Sequence, residues 1–220
     1  MSPGFESSTL VTASQFPATS SSAWVGWVTV VFVYRTRSSV AWFPAALAEE
    51  RRRLLDAARA SAWPRMYGLM LLALTSGGRR GELMRLRWRD IDFEQCIAHL
   101  RVTKNGDARV LVLVPTVVEE LKRFSRGKPD DLVFRSTRDP SRPYGFEQMW
   151  RTALRESKVE WFRWHDLRHS FASALAQEGA SLVELADAMG HKSFAMVKRY
   201  AHLSAKSRAA LVNRVMGDVR

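Results

Sequence analysis

Cysteine, acidic residues and long hydrophobic runs are all scarce in this 220-residue sequence. The single cysteine, Cys96, excludes an internal disulfide and a zinc site built from cysteines, and it fits a reducing compartment. The one long apolar run, Ala23–Tyr34, is shorter than the roughly 20 residues that a membrane-spanning helix needs. No lysine or arginine precedes it, so it is also a poor signal peptide. We therefore expect a cytoplasmic protein with no membrane partner.

The shortage of acidic residues leaves a strong positive charge. Lysine and arginine number 34 against 22 aspartates and glutamates, which gives a formal net charge of +12. A field of that sign attracts polyanions, and nucleic acid is the commonest polyanion in a cell. A merely solvated basic surface is the plainer alternative. A membrane-surface helix is disfavoured because the arginines are not gathered on one amphipathic segment. The charge favours a nucleic-acid partner.

Residues 1–44 differ in character from the rest. Met1–Ser22 is rich in serine and threonine and shows no periodicity, so we expect it to be disordered. Ala23–Tyr34 is rich in valine and aromatic residues and could form a strand. The first 44 residues are therefore predicted to be a disordered or atypical N-terminal segment.

Residues 45–220 are predicted to form one domain, mostly α with a small antiparallel β-sheet (α+β). Cys96–Thr103 and Ala108–Val114 alternate as strands do, and Asn105-Gly106 between them is a strong hairpin signal. Gly190 is a plausible helix stop and Ser193 a plausible helix cap. Apolar spacing predicts helices at Leu47–Ala60, Tyr67–Thr75, just after Gly78, Val117–Phe124, Phe146–Ser157, His165–Glu178, Leu182–Met189, Phe194–Tyr200 and from Ser204.

Two motifs place an arginine at or within a predicted helix. Gly77-Gly78 precedes Arg79 at a predicted helix start, where backbone and guanidinium groups can approach a phosphate closely. Taken alone, this motif is more often a helix boundary with a solvated arginine. In the second motif, Leu167, Phe171 and Leu175 are predicted to form a buried stripe. Arg168 lies at its edge, so its stem should pack and its head be held in place.

Histidine and tyrosine complete the candidates. His165 and His169 have the spacing of a zinc pair, but the metalloprotease glutamate is absent and Arg168 would repel a metal ion, so we expect no metal. His191 follows Gly190, and Tyr200 follows further along the chain. Taken alone, such a tyrosine is more often a half-buried core residue than a nucleophile.

Taken together and in this order, the motifs resemble the signature of the tyrosine site-specific recombinases, the phage integrase family. The resemblance covers about residues 45–215. Gly77-x-Arg79-x-Gly81-Glu82-Leu83 is similar to the first conserved motif of the family, and His165-x-x-Arg168 is similar to the second. It implies the DNA breaking-rejoining fold and a catalytic set comprising Arg79, Lys104, His165, Arg168, His191 and Tyr200.

The chemistry of strand cleavage accounts for these residue types. Arginine forks bind the non-bridging phosphate oxygens and keep their charge. Tyr200 would form a phosphotyrosine that stores the bond for religation without ATP. Lys104 would protonate the 5′-oxygen, His165 would accept the tyrosine proton and His191 would hydrogen-bond the phosphate. Glu82 is expected to orient this shell. No metal and no other cofactor is implied.

The resemblance implies double-stranded DNA as the partner and a tetramer on that DNA. The family's integrases usually carry an N-terminal helical domain that completes a clamp around DNA, and residues 1–44 are too short and too unhelical to be it. A DNA-binding remnant of a decayed prophage or mobile element, without autonomous recombination, is therefore the main alternative. A type IB topoisomerase shares the chemistry, but the motifs are more similar to integrases.

Overall fold

The computed structural model describes residues 44–101, 108–124 and 126–217. The predicted hairpin turn Asn105-Gly106, the candidate Lys104 and both predicted segments before residue 44 lie outside the described residues. Within the described ranges the chain is mostly helical with a small antiparallel sheet, so the predicted fold class is confirmed. The helices are α1 Pro44–Arg59, α2 Met66–Ser76, α3 Arg80–Leu83, α4 Pro115–Arg123, α5 Glu147–Ser157, α6 Trp164–Gln177, α7 Leu182–Met189 and α8 Ala205–Met216.

The sheet has three strands in the order β1-β2-β3, namely Ile91–Asp92, Ile97–Leu100 and Arg109–Val112. Both pairings are antiparallel, and Ala98 in the central strand faces Leu111 of β3. Ala98 and Leu100 are buried while His99 between them is exposed, as the two-residue period of a strand requires. Strand β1 was not predicted, because two residues are too few to show any period.

The main hydrophobic core surrounds α2. Its side chains Met66, Leu69, Met70 and Leu72 are completely buried, because α1, α4 and α6 pack around it. A helix that is apolar on every side needs such neighbours. On α6 the predicted stripe is only partly right, since Leu167 is buried but Phe171 and Leu175 are half-buried. The buried positions instead include Ala172 and Ala176, because α6 also packs against α7.

A second, smaller cluster joins the end of α6 to α7 and the following turns. Helix α7 begins at the capping residue Ser181 and ends at Gly190, which is left-handed with φ 58° and confirms the predicted helix stop. Ser193 accepts a hydrogen bond from the Ala195 backbone and caps the next turn, as predicted.

The helix predicted over Phe194–Tyr200 is not one continuous helix. The chain there forms two 3-10 helices, Phe194–Met196 and Lys198–Ser204. Residues three apart lie on the same side of a 3-10 helix. That spacing buries both Val197 and Tyr200 in the second cluster, and the Tyr200 backbone N–H donates to the Val197 carbonyl at 2.9 Å. Packing of these two side chains therefore favours the tighter helix.

None of the helices in the described ranges combines the length and the apolar character that crossing a bilayer requires.

Candidate active site

The turn between α2 and α3 presents Arg79. Gly77 ends α2 in the left-handed conformation with φ 60°, and a Cβ there would collide with the Phe171 ring. Arg79 precedes the first turn of α3, where its backbone N–H donates to Glu82 Oε2 at 2.7 Å. Its guanidinium donates to Glu82 Oε1 at 2.8 Å. The short helix thus holds both the backbone and the head of Arg79.

Arg168 is almost fully buried on α6, with 3% of its surface exposed. As the sequence predicted, its head is held: it donates to the carbonyls of Gly77 and Met189. Burial, together with the nearby Arg79 and Arg109, lowers the pKa of Arg168 to about 9. The guanidinium is therefore still charged at neutral pH. A positive charge is thereby fixed in a partly dehydrated place, where it acts strongly on a nearby anion.

The C-terminal end of α7 gathers three arginines. The last carbonyls of a helix have no partner within the helix, and this end attracts cations. Arg109 donates to the Ala188 carbonyl and Arg79 to the Gly190 carbonyl, each at 2.9 Å, while Arg168 donates to the Met189 carbonyl between them. Three elements distant in sequence therefore converge on one helix end.

Arg109, the first residue of β3, was not among the predicted site residues. Its guanidinium also donates to Glu82 Oε2 at 2.7 Å, and its side chain is only 11% exposed. Burial raises the pKa of Glu82, but hydrogen bonds from Arg109 and Arg79 outweigh it and hold that pKa below its ordinary value. Glu82 is thus an ionised link between two arginines. In the sequence, a lone arginine in an alternating strand carries no signal of this position.

His191 lies directly after α7. Its Nε2 is 3.0 Å from Arg168 Nη2. Burial and the nearby Arg168 and Arg79 lower the pKa of His191 to about 4, so its ring is neutral at neutral pH and accepts a hydrogen bond at Nε2. Within the described ranges, the buried Nδ1 of His191 makes no hydrogen bond to the protein. The structure thus brings His191 to Arg168.

Tyr200 is 5% exposed, and its hydroxyl lies 2.5 Å from Nδ1 of His169. Burial raises the pKa of Tyr200, so the hydroxyl keeps its proton at neutral pH. Burial and His165 lower the pKa of His169 to about 4, so this imidazole is neutral. The tyrosine therefore donates and His169 accepts.

We expected His165 to contact the Tyr200 hydroxyl, but in the structure His169 makes this contact. His165 is exposed, one turn before His169 on α6, and the two rings meet edge to face with centroids 4.7 Å apart. Side chains four apart share a helix face, and on this face it is the ring of His169 that contacts the Tyr200 hydroxyl. The second histidine of the sequence His-x-x-Arg-His was the available signal for this contact.

A cleft of about 560 Å³ begins beside Arg79 and continues over the sheet. Arg101 and Arg89 in its wall pair with Asp90 and Asp130 respectively, so part of its charge is neutralised. In the described part of the chain, no three histidine, cysteine, aspartate or glutamate side chains come together as a metal site would require. The basic side chains lining the cleft are Arg79, Arg85, Arg87, Arg89 and Arg101, joined by His99.

Residues 46–207 match the Phage integrase family. The chain is 36% identical over 144 residues to the shufflon-specific DNA recombinase of Escherichia coli, covering 64% of this chain and 35% of that relative. It is 31% identical over 169 residues to the integrase of Salmonella phage P22, covering 70% of this chain and 42% of that relative. The chain thus spans less than half the length of either relative.

Two solved structures are similar in fold. The crystal structure of XerA recombinase superposes with a TM-score of 0.65 at 24% identity, covering 88% of this chain and 69% of that one. The catalytic domain of bacteriophage HP1 integrase superposes with a TM-score of 0.62 at 20% identity, covering 80% of this chain and 95% of that one. At such identities the likeness concerns the fold.

Proposed function

Since the chain belongs to the phage integrase family and carries its tyrosine recombinase catalytic domain, we propose that it is a site-specific DNA recombinase. It cleaves and rejoins DNA strands through a 3′-phosphotyrosine formed on Tyr200. The observation that carries this proposal is the gathering of three arginines at the end of α7, because one of them, Arg168, directly precedes on α6 the histidine that holds the Tyr200 hydroxyl. Fixed cations beside a nucleophilic hydroxyl suit attack on a phosphodiester.

In the proposed step, Tyr200 Oη gives its proton to a base and bonds to phosphorus, and the bond from phosphorus to the 5′-oxygen breaks. Negative charge grows on the non-bridging oxygens, which Arg79 and Arg168 stabilise. The 5′-oxygen leaves as a hydroxyl after taking a proton from Lys104. Attack by a 5′-hydroxyl on the phosphotyrosine reverses these changes, so religation needs no ATP.

The remaining members of the catalytic set have supporting roles. His191 hydrogen-bonds the phosphate from beside Arg168, and the exposed His165 meets the DNA from the face of α6. Glu82 keeps two arginines oriented and does not react. The reaction needs no metal or other cofactor, because the arginines supply positive charge at the phosphate.

Double-stranded DNA is the proposed partner, and the arginine-lined cleft and the net charge of +12 support it. The single unpaired cysteine supports a cytoplasmic place of action. A tetramer on DNA is the proposed assembly. In support, α8 exposes a set of apolar side chains, which are Leu211, Val212, Val215 and Met216.

A second candidate function follows from the share of its relatives' length that the chain matches. The chain matches at most 42% of the length of the two curated relatives described above, so DNA binding by an integrase remnant without autonomous recombination is the alternative. Strand exchange between two intact sites by the 220-residue chain would separate the two functions. The first function requires exchange, and the second allows at most cleavage of one duplex.

Our first prediction tests the nucleophile. Tyr200→Phe should abolish the covalent adduct with a nicked suicide duplex, because the attacking oxygen is gone. Its affinity for the intact duplex should stay within about twofold, since few phosphate contacts change. Adduct is measured by denaturing gel and affinity by fluorescence anisotropy. Tyr144→Phe is the matched control, because that ring stacks on Trp63 in the core and should leave the adduct yield unchanged. Normal adduct from Tyr200→Phe would exclude Tyr200.

A further inference from the structure

The Tyr200 hydroxyl has a hydrogen-bond partner that the catalytic set above does not contain. The partner is His169 Nδ1, 2.5 Å away on α6. Both ends of this contact are held in place. Tyr200 is packed beside Val197 in the second hydrophobic cluster, and His169 directly follows the buried, carbonyl-bound Arg168. The contact therefore joins α6 to the segment that carries Tyr200.

The hydrogen bond has a direction. A protonated phenol must donate, so the neutral imidazole accepts at Nδ1 and carries its own proton at Nε2. Burial lowers the pKa of His169 to about 4 and keeps it in this accepting form at neutral pH. The charged and titratable groups that act on His169 are His165, Asp166, Arg163 and Arg199, and the hydroxyl of Tyr200 faces it directly.

We propose that His169 accepts the proton of Tyr200 as the hydroxyl attacks phosphorus, and returns it during religation. This inference rests on the proposed function. The phenol O–H bond breaks as the oxygen–phosphorus bond forms, and the proton moves to Nδ1. The 5′-oxygen departs with a proton from a different group, Lys104. The proton balance is complete without an external base.

The role of His169 requires that bound phosphate raise the pKa of its imidazole. A base with a pKa near 4 accepts a phenolic proton poorly. A phosphodiester anion beside α6, gaining charge as it is attacked, would stabilise the imidazolium and raise that pKa. Proton transfer is thus coupled to occupation of the site by DNA. His165, exposed on the same face, remains available to the phosphate itself.

The test separates acceptance of a proton from mere positioning. His169→Asn places an amide oxygen close to the position of Nδ1, so it can receive the hydrogen bond but cannot take the proton. We expect its single-turnover rate of adduct formation on a nicked suicide duplex to fall on the order of 10²–10⁴ fold. Its DNA affinity and melting temperature should stay close to those of the unmodified chain. The exposed His202 provides the matched control, His202→Asn, which should keep the full rate.

The pH profile gives a second readout. With DNA bound, the unmodified chain should lose rate as the pH falls through the raised pKa that His169 has in that complex, because an imidazolium cannot accept a proton. In His169→Asn the rate should rise with pH, because hydroxide replaces the missing base. A bridging 5′-phosphorothiolate leaves without a proton, so it should rescue Lys104→Ala but not His169→Asn.

The possible failures are distinguishable. Near-normal rates in His169→Asn, or rescue of it by the phosphorothiolate, would overturn the role of His169 while leaving the proposed function intact. No adduct from the unmodified chain would overturn the proposed function and this inference with it. If His169→Asn does not fold, His169→Gln is tested by the same criteria. Imidazole ¹⁵N shifts must also differ at His169 between the unmodified chain and Tyr200→Phe, and identical shifts would remove the hydrogen bond on which the inference rests.

Discussion

Glu82 shows how one carboxylate can hold a cluster of like charges together. Arg79 and Arg109 both donate to it, and its side chain is buried. Two guanidinium groups this close would repel each other without an anion between them. The glutamate therefore makes it possible for arginines from two elements to share one helix end.

At the scale of single residues, we predict that Glu82→Gln lowers the free energy of unfolding by about 1–3 kcal/mol at neutral pH, because two partly buried cations lose their anion. The folded pKa of Glu82 lies below its ordinary value of 4.5, so the carboxylate stabilises the fold above that value. This contribution is lost as the pH falls through the folded pKa, so the difference from the variant should shrink in acid. Urea unfolding at several pH values measures it.

Glu119 on α4 is exposed and provides the control for this comparison. Glu119→Gln should change the unfolding free energy by less than about 0.5 kcal/mol at any pH. A Glu82→Gln deficit that is the same in acid as at neutral pH would contradict the role given to the carboxylate.

At the scale of elements, the end of α7 organises the centre. Its carbonyls Ala188, Met189 and Gly190 each accept from a different arginine. The helix can end there because Gly190 adopts a left-handed conformation. A Cβ on that glycine would lie 2.6 Å from the side chain of Arg109. The glycine thus permits both the helix stop and the approach of β3.

We therefore predict that Gly190→Ala destabilises the fold by at least about 1–2 kcal/mol, which is the cost of a left-handed alanine. Displacement of Arg109 adds to this cost. Gly81→Ala is the matched control, because Gly81 lies in α3 with nothing within 4 Å of its would-be Cβ. It should be neutral or stabilising by up to roughly 1 kcal/mol. Urea unfolding compares the two variants, and equal effects would refute the argument.

At the scale of the whole molecule, the net charge of +12 is partly concentrated around the cleft beside Arg79. Several cleft arginines are tied to aspartates, but their guanidinium groups still line the wall. DNA binding that releases counterions weakens linearly as the logarithm of salt concentration rises. The slope of this dependence therefore measures how many phosphates the proposed interface neutralises.

Arg85 is exposed and lines this cleft. We predict that Arg85→Ala weakens binding to any duplex sequence to a similar extent and reduces the salt slope by about 1. Anisotropy titrations from roughly 50 to 200 mM salt give that slope. Arg155→Ala removes an exposed arginine of α5 that is not among the residues lining the cleft, and it should leave the slope unchanged. Equal slopes for both variants would exclude the cleft as the DNA-binding surface.

The sequence by itself determined the features that depend on neighbouring residues. Periodicity predicted the helices to within a few residues, Gly190 predicted the end of α7, and Ser193 predicted a cap. The order of the recombinase-like motifs indicated the family. The edge position of Arg168 on α6 predicted that its head is held. For the helices, the stop and the cap, the physical cause lies within a few residues along the chain.

Only the tertiary structure decided which side chains meet. Arg109 reaches a carbonyl 79 residues away, and the partner of Tyr200 lies 31 residues before it. Periodicity says nothing about such pairs, because they depend on how separate elements pack. The same packing of Tyr200 and Val197 favoured two 3-10 helices over the one continuous helix that was expected. Lys104, outside the described residues, stays a prediction. The sequence thus determined most of the candidate groups. The tertiary structure decided that His169 rather than His165 holds the Tyr200 hydroxyl, because that pairing depends on how α6 packs against a segment distant in the sequence.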